Sequence, residues 1–281
     1  FEEMGNVLWH YQVTGHAIAE AYESIKTPTS RFAGACFTSG SAGTMSAGDY
    51  LKEQYPYSKL AVGEALQCPT LLENGFGGHR IEGIGDKHVP WVHNVRNTDM
   101  VIDIDDEDSQ NLLRLFNSEE GHKYLREVAG VPEATIEQLS LLGISGIANV
   151  LCCIKFAKYY ELTGDDVVAT VATDSAVMYE SRVKELNEQQ GNYSLLTAAR
   201  DFSEHLHGIR TDNMAELTYA DRKRVHNLKY YTWVEQQGKT VEELNAQWYD
   251  HDYWTGIHEQ AKDLDKLIIE FNARTGVAEK I

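Results

Sequence analysis

Two rhythms of apolar residues run along this chain. Runs at 31–38 (RFAGACFT), 59–65 (KLAVGEA) and 100–104 (MVIDI) have the length and continuity of strands buried on both faces. A small-residue cluster, Ser39 to Thr44, and a helical stretch over 45–53 separate the first two. Strand, small-residue loop, helix and strand make a βαβ unit. The pattern therefore predicts an α/β fold with a mostly parallel sheet flanked by helices. A long loop rich in glycine and aromatics follows over 75–93, and then a helix over 109–116. From 118 to 160 the spacing is helical with breaks, and its strongest segment, 144–160, has Ser145 placed to cap it. Residues 166–170 (DVVAT) read as one more short buried strand, leading through Thr173-Asp174-Ser175 into a helix over 176–186. Beyond residue 190 the pattern predicts long, charged, Tyr- and Trp-bearing helices, with a capping box at Thr240–Glu243.

Composition narrows the picture. A chain of 281 residues with 42% hydrophobic content builds one large domain or two small ones. Its formal charge of −18 argues against nucleic acid and against an anionic membrane surface as partners. No run approaches the length of a membrane span. The chain opens at Phe1 without an initiator Met or a signal-peptide pattern, so the expectation is the interior of a longer chain or the start of a processed one. The cysteines at 36, 68, 152 and 153 lack metal-ligand spacing, and Cys152-Cys153 read as small packed hydrophobes. Reduced thiols and a cytoplasmic location are the expectation.

Chemistry has few candidates. Gly40–Thr44 joins a strand to a helix, where backbone N–H groups converge on an anion and the hydroxyls of Ser41 and Thr44 add donors. Neither a Walker motif nor GxGxxG is present, and tight packing explains such a loop as readily. Gly83-Ile84-Gly85 permits close backbone approach to a flat ligand, or a simple turn. Ser175 follows a buried strand at the edge where open α/β sheets hold ligands, although a helix N-cap accounts for its spacing. Asp103 to Asp108 lacks the glycine and closing Glu of a calcium loop and reads as a strand end entering an acidic first helical turn. His205-Leu206-His207 and Asp250-His251-Asp252 read as solvated helix faces, and Trp248, Tyr249, Tyr253 and Trp254 as a packing or subunit contact. No metal site is expected.

Taken in order, these signals resemble a known family. Gly40-Ser41-Ala42-Gly43-Thr44 matches a GTGGT phosphate loop, and Tyr50-Leu51-Lys52-Glu53 the YLKE behind it. Gly63-Glu64-Ala65 stands at a GVEP, His79–Gly85 at HKIQGIG, Gly143–Gly146 at GISSGA and Asp174-Ser175 at PDSGERY. With Asn6, His10-Tyr11 and Thr14-Gly15 before them, residues 1–181 resemble the C-terminal part of the cysteine synthase/cystathionine β-synthase family, pyridoxal phosphate (PLP) enzymes of fold type II with the tryptophan synthase β-like fold.

The resemblance implies that Gly40, Ser41, Ala42, Gly43 and Thr44 hold the PLP phosphate, that Ser175 bonds the pyridine nitrogen, and that Gly83 and Ile84 line the cofactor's outer edge. A neutral hydroxyl at the ring nitrogen suits α-proton loss with β-elimination or β-replacement on a small amino acid. Ala42 departs from the family's glycine, a change compatible with ordinary backbone angles. The Schiff-base lysine and the substrate-carboxylate loop of the family lie in an N-terminal segment with no counterpart here, and no lysine of this chain sits in such a motif. Catalysis then requires that segment from a partner chain or from the remainder of a longer one. A homodimer or higher oligomer is the family's habit. Residues 182–281 are expected as a helical extension serving as interface or active-site cover. The alternatives are a catalytically inactive subunit with a structural or regulatory role, and a binding protein for another phosphorylated ligand.

Overall fold

The computed structural model describes residues 1–85 and 87–277. Residues 4–25 form one helical rod, α1, which is α-helical over Met4–Trp9 and His16–Ile25 and widens to π geometry over His10–Gly15. There α1 presses on the next helix so closely that a Cβ on Gly15 would lie 2.9 Å from the Tyr50 ring. The apolar runs become β1 (Arg31–Thr38), β2 (Lys59–Ala65) and β3 (Met100–Ile104), with α2 (Gly43–Gln54) between the first two. Next come α3 (Asp106–Phe116), α4 (Ile144–Tyr159) and β4 (Asp166–Ala169). Asp105 caps α3, accepting the N–H of Glu107, so the 103–108 acidic run is a strand end entering a helix, as anticipated.

The sheet order is β4-β1-β2-β3-β5, with β1 to β4 parallel and β5 (Met214–Glu216) antiparallel to β3. The expected mostly parallel sheet is present. Alternate residues of each central strand serve opposite faces. Ala35, Phe37, Leu60, Val62 and Val101 pack against Met45, Ala47 and Leu51 of α2. Cys36, Ala61, Met100 and Ile102 pack against Leu112 of α3 and Ile147, Leu151 and Phe156 of α4. Gly34 lets β1 and β2 close up, since a Cβ there would sit 2.2 Å from the Lys59 carbonyl oxygen.

The region after residue 182 is mostly helical, with α-helices of 7 to 15 residues. Its elements include α5 (Glu180–Gln190), α6 (Tyr219–Lys229), α7 (Val241–Tyr249), α8 (Tyr253–Glu259) and α9 (Ala261–Thr275), with further turns and the edge strand β5 among them. The Thr240–Glu243 capping box forms, and Thr218–Asp221 makes a second one. Trp233 and Leu244 close over Trp91, while Trp254 and Ile257 close over Val7, Leu8 and Val92, so this region wraps the 88–97 loop and α1. Trp248 and Trp254 are buried and Tyr249 is exposed, which makes the aromatic cluster mainly packing. Asp99 ties the layers together, accepting from Leu60 N (2.8 Å), Lys52 Nζ (2.7 Å) and Arg222 (3.0 Å). Among the described residues no helix is long and apolar enough to cross a membrane.

Candidate functional site at the sheet switch point

From β1 the chain proceeds to β2 and β3 on one side, whereas β4 is laid down on the other. The α2 crossover covers one face of the sheet and α4 the other. The carboxyl ends of β1 and β4 therefore flank a switch point, the place where open α/β sheets form a ligand crevice. Asn149 of α4 fills the gap between them, accepting the Thr38 N–H (2.7 Å) and donating to the Val171 carbonyl (2.9 Å). Thr170 adds a bond to the Cys36 carbonyl at 2.6 Å.

The Gly40–Thr44 loop leaves β1 at this point. Ser39 N still bonds the Gly63 carbonyl (2.9 Å). The next five N–H groups, from Gly40 to Thr44, have no protein acceptor among the described residues. Free amides at a helix N-terminus form an anion cradle. Ala42 contradicts the expectation of ordinary backbone: it is left-handed, at φ 61° and ψ 13°. A left-handed residue followed by right-handed ones turns successive N–H groups toward one side, at a cost of about 1–2 kcal/mol for a residue carrying a Cβ. The start of α1 buttresses the loop. Asn6 Nδ2 donates to Ser41 Oγ (3.2 Å), and a Cβ on Gly43 would lie 2.5 Å from the Asn6 side chain and 2.6 Å from His10.

Gly83 and Ile84 lie against Gly40. A Cβ on Gly40 would be 3.3 Å from the Gly83 carbonyl oxygen, and Gly85 N bonds the Ser39 carbonyl at 2.8 Å. Gly83 and Gly85 have φ of 89° and 83°, so both positions favour glycine. Ser175 sits at the same sheet edge, beyond β4. Its Oγ accepts the Val177 N–H (3.1 Å) and caps the turn Ala176–Tyr179, which leaves its hydroxyl proton free to donate. Ser145 does not cap α4. Gly143 holds that position, and Ser145 Oγ is taken by Thr173 Oγ1 at 2.6 Å. Gly143 N bonds the Asp174 carbonyl (2.8 Å), which fastens the α4 N-terminus to the segment leading to Ser175.

Two buried carboxyl groups that spacing alone did not single out stand beneath the loop. Glu64 and Asp103 are partners in the β2–β3 register, and burial plus mutual repulsion raise the pKa of Asp103. Glu64, also raised by burial, accepts the N–H groups of Leu71 and Leu72. In the apolar pattern each appears as an acidic residue inside a strand otherwise buried on both faces. His205 also departs from its solvated reading, since it is half-buried with Nδ1 2.7 Å from Asp108 Oδ1, and that bond raises its pKa. His251 is exposed in a bend between α7 and α8.

Free amides at a helix N-terminus suit an anionic group such as a phosphate, and the Ser175 hydroxyl is a donor of the kind a ring nitrogen accepts. A cavity of about 20 Å³, the size of one water, lies beside Ser39, Gly40, Glu64 and Gly85, and no lysine lines it. Lys52 is bound to Asp99, Lys155 to the Asp103 and Asp212 carbonyls, and Lys229 to the Trp91 and His93 carbonyls. Lys280 lies outside the described residues.

Comparison with known proteins finds relatives among the cysteine synthases. The chain is similar to the probable cysteine synthase of Bacillus subtilis (strain 168), with 29% identity over 182 residues, 64% of this chain and 51% of that protein. Cysteine synthase 3 of Caenorhabditis elegans is 29% identical over 172 residues, 61% of this chain and 44% of that protein. Among solved structures, the cysteine synthase of Entamoeba histolytica superposes with a TM-score of 0.53 at 19% identity, covering 73% of this chain and 53% of that one. A hydrogen sulfide-producing enzyme of Fusobacterium nucleatum gives 0.51 at 23%, covering 72% and 53%. These structures share the fold. No family model matches the chain. The chain spans about half the length of the curated relatives it matches.

Proposed function

We propose that this chain is the cofactor-cradling part of a PLP-dependent enzyme that carries out β-elimination or β-replacement on a small amino acid. The observation that carries this reading is the run of free amides from Gly40 to Thr44 at the β1–β4 switch point. Those amides and the α2 N-terminus would hold the phosphate, with Ser41 and Thr44 hydroxyls as further donors. Ser175 would donate to the ring nitrogen, and Gly83 and Ile84 would bound the ring's outer edge. Bound there, PLP supplies the electron sink that stabilises negative charge at the substrate α-carbon. A hydroxyl at the ring nitrogen, in place of a carboxylate, leaves that nitrogen unprotonated. The lysine is assigned to an N-terminal segment or partner chain, and the assembly to a homodimer or higher oligomer. Four free cysteines, three of them buried, support a reducing, cytoplasmic setting. A second reading is an inactive subunit that keeps the cradle and has no lysine at the site.

Borohydride reduction of the purified, PLP-loaded sample, followed by intact-mass spectrometry of every polypeptide, separates these readings. A pyridoxyl adduct on a co-purifying chain or segment supports the enzyme. Bound PLP without an adduct supports the inactive subunit. A folded sample that takes up no PLP refutes both.

A further inference from the structure

The opposite end of α2 meets a second cavity. About 390 Å³ in volume, it lies toward the amino ends of the strands, between α2, the 94–97 turn and α8. Its volume is in the range of small-molecule pockets. Asp49, Lys52, Asn94, Arg96, Trp254 and His258 line it, so it carries both signs of charge and one aromatic wall.

Its buried polar atoms are incompletely paired. His258 is nearly fully buried, with its ring stacked on Tyr11 at 4.0 Å between centroids. Its Nε2 makes no hydrogen bond, and Asp49 Oδ2 stands 3.8 Å away, too far for one. Asn94 Oδ1 is also buried without a partner. Asp49 accepts from Asn97 Nδ2 (2.5 Å) and Asn94 Nδ2 (3.2 Å), which leaves carboxylate lone pairs unused. Buried polar groups are normally satisfied, so three neighbouring groups with spare accepting capacity call for a donor from outside the chain. Burial holds Asp49 up to about 7 and His258 down to about 4, so both favour neutrality until an opposite charge arrives. Across the same cavity Lys52 is already spent on Asp99 and the Asn97 carbonyl. Arg96 makes only long contacts, to the Asp250 carbonyl (3.3 Å) and His251 (3.4 Å), so most of its donors remain available.

We propose that this cavity is a binding site for a zwitterionic α-amino acid, its ammonium group on Asp49, Asn94 and His258 and its carboxylate on Arg96. The site is separate from the switch point and independent of the function proposed there.

Calorimetric titration of the full chain with each proteinogenic L-α-amino acid tests it. The tightest binder is then compared with its decarboxylated amine and its deaminated acid. We expect at least one amino acid to saturate the protein in the millimolar range or tighter. Each truncated analogue should lose about tenfold or more, as should Arg96→Gln and Asp49→Asn. Arg96 lies near the surface, so R96Q keeps the test open if D49N fails to fold. The proposal is overturned if no amino acid binds, if an analogue lacking one charge binds as tightly, or if binding survives R96Q unchanged, which would place the ligand elsewhere.

Discussion

Replacing Asp49 by Asn should change how stability depends on pH, in a direction fixed by the burial of Asp49. Asp49 is buried, and its pKa rises from 3.8 to about 7 chiefly through desolvation. Between those values the folded state keeps a proton that the unfolded state has lost, so this group makes stability fall as pH rises. At about 1.4 kcal/mol for each tenfold change in acidity, the full fall is about 4 kcal/mol. His258 acts in the other sense. Burial lowers it from 6.5 to about 4, so the unfolded state binds the extra proton and stability rises across the same window, by about 3 kcal/mol. In the wild type the two slopes largely cancel. D49N removes the falling component, and its stability relative to wild type should climb by about 4 kcal/mol between acid and neutral pH. H258Q should do the reverse, losing about 3 kcal/mol relative to wild type over the same range. Urea unfolding at half-unit pH steps measures both. Curves for D49N that run parallel to wild type to within about 1 kcal/mol would refute the reasoning, because a carboxyl group that ionises normally contributes no such difference.

Two further outcomes follow from backbone contacts. Gly34→Ala drives a methyl group into the Lys59 carbonyl and the Phe156 ring and should cost about 1–3 kcal/mol or more, read as a drop in Tm. Asn149→Leu leaves the buried Thr38 N–H and the half-buried Val171 carbonyl unpaired and should cost about 2–5 kcal/mol in denaturant unfolding; stability equal to wild type would show that the bridge between β1 and β4 carries no weight.

What could be read from the residues tracks the range of the forces involved. β1, β2 and β3 were legible because both faces of each strand are covered, which demands unbroken apolar runs. The Thr240–Glu243 box was legible because its bonds close within four residues. β5 was not, since three residues of unremarkable propensity become a strand only by pairing with β3, more than a hundred positions earlier. Ser145 looked like a cap by local spacing, but Thr173 across the switch point claims its hydroxyl. His205 looked solvated until Asp108 came to meet it. In the candidate site, the small residues of the loop announced a close approach. The left-handed turn at Ala42 and the Asn6–His10 buttress arise from tertiary contact and leave no local trace.

The placement of β5 bears on how the molecule breathes. Because β5 covers what would otherwise be the open edge of β3, the central strands are bordered on both sides by hydrogen-bonded neighbours. Amide protons of β3 then become reporters on the C-terminal region. While β5 stays docked they exchange with solvent deuterium only through the largest openings, and if it peels away alone they should label early, ahead of those in β1. The order in which strands take up deuterium therefore tells whether residues beyond 182 open with the sheet or before it.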